Sequence, residues 1–447
     1  MRPAGLSEMS AREHPNPAAA NISDRSRHQP ISRPAQVEPV GTRARRLQRK
    51  ILRADRSIAG RWWLVFHLVL KPLHNLLRIV PQVVRIAPKA KRVYGISIRR
   101  QIIDQIRLVL FHGATPWVYY MTELYRGDAM RHAGELVMRN AMKHGVWKAL
   151  NRIDPEARDH GRSLGDKLKT AAWCAEAGLP HPQPLIVIER GDAIWKGGSL
   201  GDLDRDLFVK PRHGRGANGV ARYRRTAVFE YLDDHDRAVN LKQLVVRLVR
   251  QSHRESLLVQ PLLRTHPALA DLTGDSLITF RVFTCLDEDL RPIVTNAFLR
   301  SLAKLEPRWK TGRIEEFAAP IDLETGTLGR MTGDKPECLS EWSDRHPVTG
   351  ALVTGRIVPF WPELARLAIE AHAMVAERIV VGWDIAVTET GPVLLEGNSY
   401  PDTIYPQRLF RKPIGHMRLG ELLNFHMSRL EARLDQPPKS ELRDGAS

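Results

Sequence analysis

Residues 208–220 read FVKPRHGRGANGV and contain the spaced glycines Gly214, Gly216 and Gly219. A dinucleotide-binding fold needs a helix directly after such glycines, so that the helix N-terminus meets the pyrophosphate. Here the following residues, VARYRR, alternate in polarity as a strand does, which argues against that fold. The Gly-Lys-Ser/Thr end of a P-loop is missing, and so are the HRD and DFG motifs of protein kinases.

What remains is a β-hairpin whose loop follows a lysine. Lys210 ends a strand predicted over 206–210, and a second strand is predicted over 220–224. Glycines let backbone N–H groups close over phosphate oxygens, while the lysine brings a positive charge to the same anion. The hairpin is therefore predicted to bind phosphate, and the alternative is a polar surface hairpin.

A second hairpin is predicted in residues 380–402, VVGWDIAVTETGPVLLEGNSYPD. A three-residue loop over 389–391, with glycine at the positive-φ position, joins the two strands. That loop places Asp384 opposite Glu396, and alternation puts Asn398 on the same face as Glu396. Facing carboxylates in an apolar context repel each other, and a hard cation such as Mg²⁺ between them relieves the repulsion. The alternative is an exposed acidic hairpin.

The distribution of charge narrows the function classes. The 447-residue chain has a formal charge of +18, and its first 100 residues hold 21 basic and 5 acidic residues, against 47 and 45 in the remainder. Basicity therefore belongs to the N-terminal part, so that binding of nucleic acid by the body of the protein is not expected. Three widely spaced cysteines predict neither a disulfide framework nor a zinc site, and they fit a reducing compartment.

The N-terminal part itself divides in two. Residues 1–55 are predicted to be a disordered basic tail without a secretory signal, and residues 56–155 a helical region. Residues 62–84 are apolar but interrupted by Lys71, Pro72, Arg78 and Pro81. A helix lying on an anionic membrane surface and a buried helical pair both account for that segment.

From Leu164 onward, strands and helices alternate, which predicts an α+β domain over 160–434 and a loose tail over 435–447. The remaining strands are predicted over 184–188, 256–261, 277–286 and 292–298. Helices are predicted after Gly165 and over 236–251, 362–379 and 418–434.

Five motifs in this order resemble the ATP-grasp superfamily, and in particular the sugar-transfer-associated ATP-grasp proteins of bacterial surface-polysaccharide gene clusters. They are GDKLKTAAWCAEAGLPHP, FVKPRHGRGANG, LLVQPLLRTHP, SLITFRVFT and GWDIAVTETGPVLLEGN. The resemblance implies the ATP-grasp fold, in which two α+β subdomains grip ATP. It also implies ATP and Mg²⁺ as cofactors, with two metal ions.

The resemblance also implies roles for individual residues. Lys167 and Lys210 resemble the lysines that contact the ATP phosphates, and Gly214, Gly216 and Gly219 the lid over them. Val259, Gln260 and Pro261 resemble the hinge beside adenine. Arg281 resembles the arginine near the transferred phosphate, so that Arg281 and Lys210 are the expected catalytic residues. Asp384, Glu396 and Asn398 resemble the Mg²⁺ ligands.

The function implied is that of an ATP-dependent ligase that activates a carboxylate as an acyl-phosphate for attack by an amine or other nucleophile. Its setting is surface-polysaccharide or cell-envelope biosynthesis, in the cytoplasm or peripherally on the inner face of the membrane. Three alternatives remain open: a phosphotransferase acting on a sugar-like hydroxyl, a nucleotide-binding partner without catalysis, and a nucleic-acid-binding protein suggested only by the basic N-terminus.

Overall fold

The computed structural model describes most of the chain, over residues 38–55, 57–151, 164–214, 219–273, 276–302, 316–339 and 341–436. Two compact units divide the chain, Met1–Glu38 and Pro39–Ser447, and the architecture below is that of the second.

The second unit begins with helices. They are α1 (Val40–Ala54), α2 (Ile58–Val65), α3 (Lys71–Leu77), α4 (Ile79–Tyr94), α5 (Ile98–His112), α6 (Trp117–Met121), α7 (Arg139–Ala141) and α8 (Trp147–Leu150). A π-helical turn at Phe66–Leu70 joins α2 to α3, and another at Met142–Val146 joins α7 to α8. The helical N-terminal region predicted from the sequence is confirmed.

Helix α1 lies within the segment predicted to be disordered, so that part of the prediction is wrong. Val40, Ala44 and Leu47 follow one another at helical spacing and are at most 2% exposed. The polar side of α1 meets the last helix of the chain, where the Arg46 guanidinium donates to Glu431 at 2.9 Å. High arginine content concealed an apolar face that is only a few residues long.

The rest of the unit contains two antiparallel sheets. The first has the order β2-β1-β7-β3-β4-β5-β6 and the second β11-β10-β9-β8-β12-β13. The strands of the first are β1 (Ile186–Glu189), β2 (Asp192–Trp195), β3 (Leu207–Pro211), β4 (Ala221–Ala227), β5 (Glu230–Leu232), β6 (Ala238–Asn240) and β7 (Leu257–Pro261). Those of the second are β8 (Thr279–Leu286), β9 (Pro292–Leu302), β10 (Glu316–Pro320), β11 (Thr332–Gly333), β12 (Val380–Thr388) and β13 (Gly391–Asn398).

Five further helices accompany the sheets: α9 (Lys167–Glu176), α10 (Leu241–Ser252), α11 (Trp361–Ala373), α12 (Ile404–Leu409) and α13 (Arg418–Leu434). The last matches its predicted bounds. Helix α10 begins later than predicted, because residues 238–240 pair as a strand and Asn240 caps the helix through the Gln243 N–H. Helix α11 ends at Ala373, earlier than the predicted residue 379. These mixed elements confirm the predicted α+β class.

The N-terminal helices and the second sheet share one hydrophobic core. Tyr119 and Tyr120 of α6 belong to the same buried cluster as Phe283 of β8 and Val380 of β12. The first sheet has a separate core with α10, which includes Leu207, Leu244 and Val259.

Arg408 of α12 joins the helical region to the second sheet. Its side chain is 1% exposed and donates to the carbonyls of Met121, Gly333 and Cys338 and to the Thr332 hydroxyl, at 2.7–3.1 Å. A buried guanidinium needs such acceptors, because its desolvation is otherwise uncompensated.

We expect Arg408→Met to lower the free energy of unfolding by roughly 3 kcal/mol or more, since it removes the donor from the buried carbonyls of Met121 and Gly333. Urea denaturation followed by circular dichroism measures the change. Arg366→Met, which removes an exposed arginine of α11, is the matched control and should stay within about 0.5 kcal/mol of wild type. Equal stability of the two variants would contradict this structural role of Arg408.

Candidate functional site

A cleft of about 1270 Å³ opens between the two sheets, and most of the predicted site residues line it. They are Lys167, Lys210, Gly214, Gln260, Pro261, Arg281, Asp384, Glu396 and Asn398. Elements far apart in sequence therefore bring the two predicted hairpins to one place.

The remaining predicted residues lie elsewhere. Val259 is 1% exposed inside the first sheet, and its carbonyl accepts the Leu185 N–H at 2.7 Å. Gly219 takes a positive φ of 75° beside Pro211 and does not line the cleft. Gly216 falls outside the described residues.

The glycine loop joins two adjacent antiparallel strands, as predicted. Val209 of β3 lies opposite Ala221 of β4, so no helix follows the glycines. Gly214 has a φ of 133°, which side chains disfavour, and its carbonyl accepts the Lys167 ammonium at 3.0 Å. The loop and the start of α9 are thereby joined at the lysine.

Arg212, which the sequence analysis missed, strengthens that junction. Its guanidinium donates twice to Asp166, at 2.8 and 3.0 Å, and Asp166 also caps α9 by accepting the Leu168 N–H. The Arg212 carbonyl in turn accepts the Lys167 N–H at 3.2 Å. The sequence feature that could have revealed this junction is Asp166, which stands immediately before a predicted helix, a position that favours capping.

Lys210 sits near the end of β3, and its side chain is almost completely buried. Burial, together with the charge of the nearby Lys167, lowers the pKa of Lys210 to about 8, although Glu396 across the cleft opposes the change. Burial also lowers the pKa of Lys167. Two partly desolvated ammonium groups facing one cleft favour an anion between them.

The second hairpin has the predicted register for a different reason. Its loop has two residues rather than three, since Thr388 pairs with Gly391. A β-bulge at Leu395 adds one residue to β13, and Asp384 therefore still lies opposite Glu396. The predicted loop length is wrong, whereas the predicted pairing of the carboxylates is confirmed.

Asp384 lies between two arginines. Arg281 donates to both of its oxygens, at 2.5 and 2.9 Å, and Arg300 approaches one of them at 3.3 Å. Burial alone would raise the pKa of Asp384, but the two guanidiniums outweigh burial and hold that pKa below its usual value. Burial and the Asp384 charge together raise the pKa of Glu396.

The donor set suits a hard divalent cation. Asp384 and Glu396 offer carboxylate oxygens, and the Asn398 amide lies 3.5 Å from Asp384. Among the described residues no three His, Cys, Asp or Glu side chains form a metal-binding group, so an amide oxygen has to complete this set. Mg²⁺ is commonly held by one or two carboxylates together with substrate phosphates, and these residues fit it. An ion there would take over the charge neutralisation that Arg281 gives Asp384.

Family comparison agrees with this arrangement. The family described as sugar-transfer associated ATP-grasp matches residues 154–409, more than half of the chain. The chain belongs to the sugar-transfer-associated ATP-grasp family. ATP-grasp proteins generally use ATP and Mg²⁺. No curated protein sequence matches the chain at a significant level.

Solved ATP-grasp structures resemble the chain distantly. The D-alanyl-alanine synthetase A from Vibrio cholerae O1 biovar eltor shares 12% identity at a TM-score of 0.34, covering 60% of this chain and 66% of that one. The VanG D-Ala:D-Ser ligase from Enterococcus faecalis shares 13% identity at a TM-score of 0.33, and the match covers 61% of this chain and 62% of that one. The ATP-grasp ligase PsnB, complexed with a minimal precursor, shares 14% identity at a TM-score of 0.32, and the match covers 69% of this chain and 72% of that one. The chain thus spans slightly less than two thirds of the first two.

Arg300 is a further cleft residue that the sequence analysis missed. It bonds Glu316 through two contacts of 2.6 and 2.8 Å and so links Asp384 to the start of β10. The sequence feature that could have revealed this residue is its position as an arginine within the apolar run NAFLRSL of β9. Glu315, the neighbour of Glu316, falls outside the described residues.

Two more polar side chains line the cleft in addition to Arg300. Asp334 and Tyr405 line it, and the Asp334 N–H donates to the Glu316 carbonyl at 3.0 Å. Burial and the charge of Glu316 together raise the pKa of Asp334 to about 6. These groups offer hydrogen bonds to a polar substrate.

We expect ATP binding to be accompanied by proton uptake at Lys210. With its pKa lowered to about 8, Lys210 is about half neutral at pH 8, and a bound anion raises that pKa and recruits up to about half a proton. At about pH 6 Lys210 is already protonated, and this uptake disappears. Binding enthalpies measured in buffers of different ionisation enthalpy give the number of protons taken up.

Lys210→Arg is the matched control, because a guanidinium keeps its charge across this pH range. The variant should bind ATP with less proton uptake at pH 8 than wild type. Identical uptake by the two proteins at that pH would show that Lys210 is not the titrating group.

Proposed function

We propose that this protein is an ATP- and Mg²⁺-dependent ligase that activates a carboxylate as an acyl-phosphate. One observation carries the proposal: Lys210 and Lys167 line the same cleft as the facing carboxylates Asp384 and Glu396. A triphosphate with its metal ion carries both the negative and the positive charges that such an arrangement accommodates.

The nucleotide would lie along the first sheet. Lys167, Lys210 and the loop at Gly214 would take the phosphates. Gln260 and Pro261 line the cleft at the end of β7, which supports binding of the adenine there. Leu262 and Leu263, which also line it, extend that edge with apolar surface for a base.

The first step would be attack of a substrate carboxylate oxygen on the γ-phosphorus of ATP. The new bond joins carboxylate oxygen to phosphorus, the bond to the β-phosphate oxygen breaks, and ADP leaves with its electron pair. Arg281 and Lys210 would stabilise the charge on the transferring phosphoryl group. A divalent ion held by Asp384, Glu396 and Asn398 would neutralise phosphoryl oxygens during the same step.

The second step would be attack of an amine on the acyl carbon of the acyl-phosphate. A C–N bond forms, the bond from carbon to the phosphate oxygen breaks, and inorganic phosphate and the amine proton are released. Closure over the cleft would exclude water, which otherwise hydrolyses the intermediate. Arg300 and Tyr405 line the cleft, where they would donate hydrogen bonds to a polyhydroxylated or sugar-derived substrate.

The family description, sugar-transfer associated, supports a role in surface-polysaccharide or cell-envelope biosynthesis. A phosphotransferase acting on a sugar-like hydroxyl would use the same nucleotide site but leave no inorganic phosphate. The buried carboxylate pair with its two arginines argues for an active site rather than a non-catalytic nucleotide binder.

We expect Mg²⁺ to increase ATP affinity in the wild type and to lose that effect in an Asp384→Asn/Glu396→Gln double variant. The variant keeps the shape of both side chains but removes the anionic ligands that the cation requires. Calorimetric titration of ATP with and without Mg²⁺ measures the change. A variant with the wild-type Mg²⁺ response would rule out this metal site.

We expect Arg281→Ala to reduce ADP formation by about 10³–10⁵-fold without unfolding the protein, because it removes positive charge at the transferring phosphoryl group. The assay screens sugar acids with amines for release of ADP and inorganic phosphate. Arg330→Ala, which breaks an arginine–carboxylate pair outside the cleft, is the control and should keep its activity. ADP and a phosphorylated hydroxyl without free phosphate would establish the phosphotransferase instead.

A further inference from the structure

Helices α2 to α4 present a continuous row of exposed apolar side chains, here called the apolar stripe. Its members follow one another every three or four residues and are 41–77% exposed. They are Ile58, Trp62, Phe66, Val69, Leu73, Leu77, Val80 and Val84. Monomeric soluble proteins rarely leave so long an apolar surface in water, which indicates that something covers it.

The opposite side of the same helices is fixed against the body of the protein. Ile79, Ile86 and Ala90 are buried, and the buried Asn75 side chain donates to the Ala114 carbonyl at 3.2 Å. The apolar stripe therefore cannot turn inward without breaking this packing, and its outward direction is a fixed property of the fold.

The charge of the surface identifies what covers it. Residues 58–103 contain nine lysines and arginines and no aspartate or glutamate. Exposed basic residues of this segment include Arg61, Arg78, Lys91, Arg92 and Arg99. Glu337, Glu341 and Asp104 pair with Arg85, Lys89 and Arg100, so the surface keeps an excess of basic residues. Anionic lipid headgroups complement such a surface, whereas a second copy of the chain would bring two basic surfaces together.

The helices do not have the form of a membrane span. Among the described residues no single helix is long and apolar enough to cross a bilayer, and Ile58–Leu77 with Ile79–Tyr94 meets the requirement only as a pair bent by 43°. Spanning would also expose Asn75 to lipid and remove Ile86 from the core.

We propose that the apolar stripe lies flat on an anionic lipid bilayer, with its side chains at the boundary between headgroups and acyl chains. Trp62 and the neighbouring Trp63 are exposed, and tryptophan favours this interfacial depth. The flanking lysines and arginines contact the headgroups, as in amphipathic helices that lie in the membrane plane. Two signals, apolar burial and charge, then hold the protein on the surface.

Flotation of the full chain with vesicles tests the proposal. We expect binding to phosphatidylcholine vesicles containing about one third phosphatidylglycerol, and binding about tenfold or more weaker to phosphatidylcholine alone. Replacing Leu73, Leu77 and Val84 together by glutamine should weaken binding to the anionic vesicles by about tenfold or more, since three apolar side chains leave the interface.

The matched control replaces equally exposed apolar residues elsewhere, Leu200→Gln, Val228→Gln and Ile357→Gln, and should bind like wild type. Four results would overturn the proposal. In the first, the wild-type protein does not float with anionic vesicles, and in the second it binds neutral vesicles equally well. In the third, it stays in the membrane after alkaline extraction, as a spanning protein does. In the fourth, it forms a dimer without vesicles, and the triple glutamine variant is monomeric.

Discussion

Asp384 is the residue on whose environment the site depends. A carboxylate that is almost fully buried stays ionised only if positive charge surrounds it, and Arg281 and Arg300 supply that charge. Burial and the charge of Asp384 raise the pKa of its neighbour Glu396. The pair thus combines one firmly ionised carboxylate with one that a bound cation would help to ionise, which couples metal affinity to pH.

Positively and negatively charged side chains line the same cleft. The first sheet contributes Lys210, and α9 contributes Lys167, while β12 and β13 contribute the carboxylates. Lysines without an anion repel each other, and so do carboxylates without a cation. A triphosphate with its metal would relieve both repulsions at once.

Alternating polarity was enough to predict the facing carboxylates, because side chains on one strand repeat every two residues. It could not reveal that a shorter turn and a bulge at Leu395 compensate each other, since both leave the same hydrophobic pattern. Composition hid α1, whose few buried residues are separated by arginines. Arg300 was missed because its partners, Asp384 and Glu316, are distant in sequence and only the folded sheet brings them together.

The separate cores have a mechanical consequence. The helical region and the second sheet share one core and form a unit here called the frame. The frame contains the carboxylates, and it also contains helix α9, because Cys174 is buried among residues of the second sheet. The first sheet has its own core and lies within the chain as an insertion between parts of that frame. Movement of the inserted sheet relative to the frame would break the Arg212–Asp166 ion pair but would leave each core intact. A frame fixed to any larger structure would leave that motion unhindered.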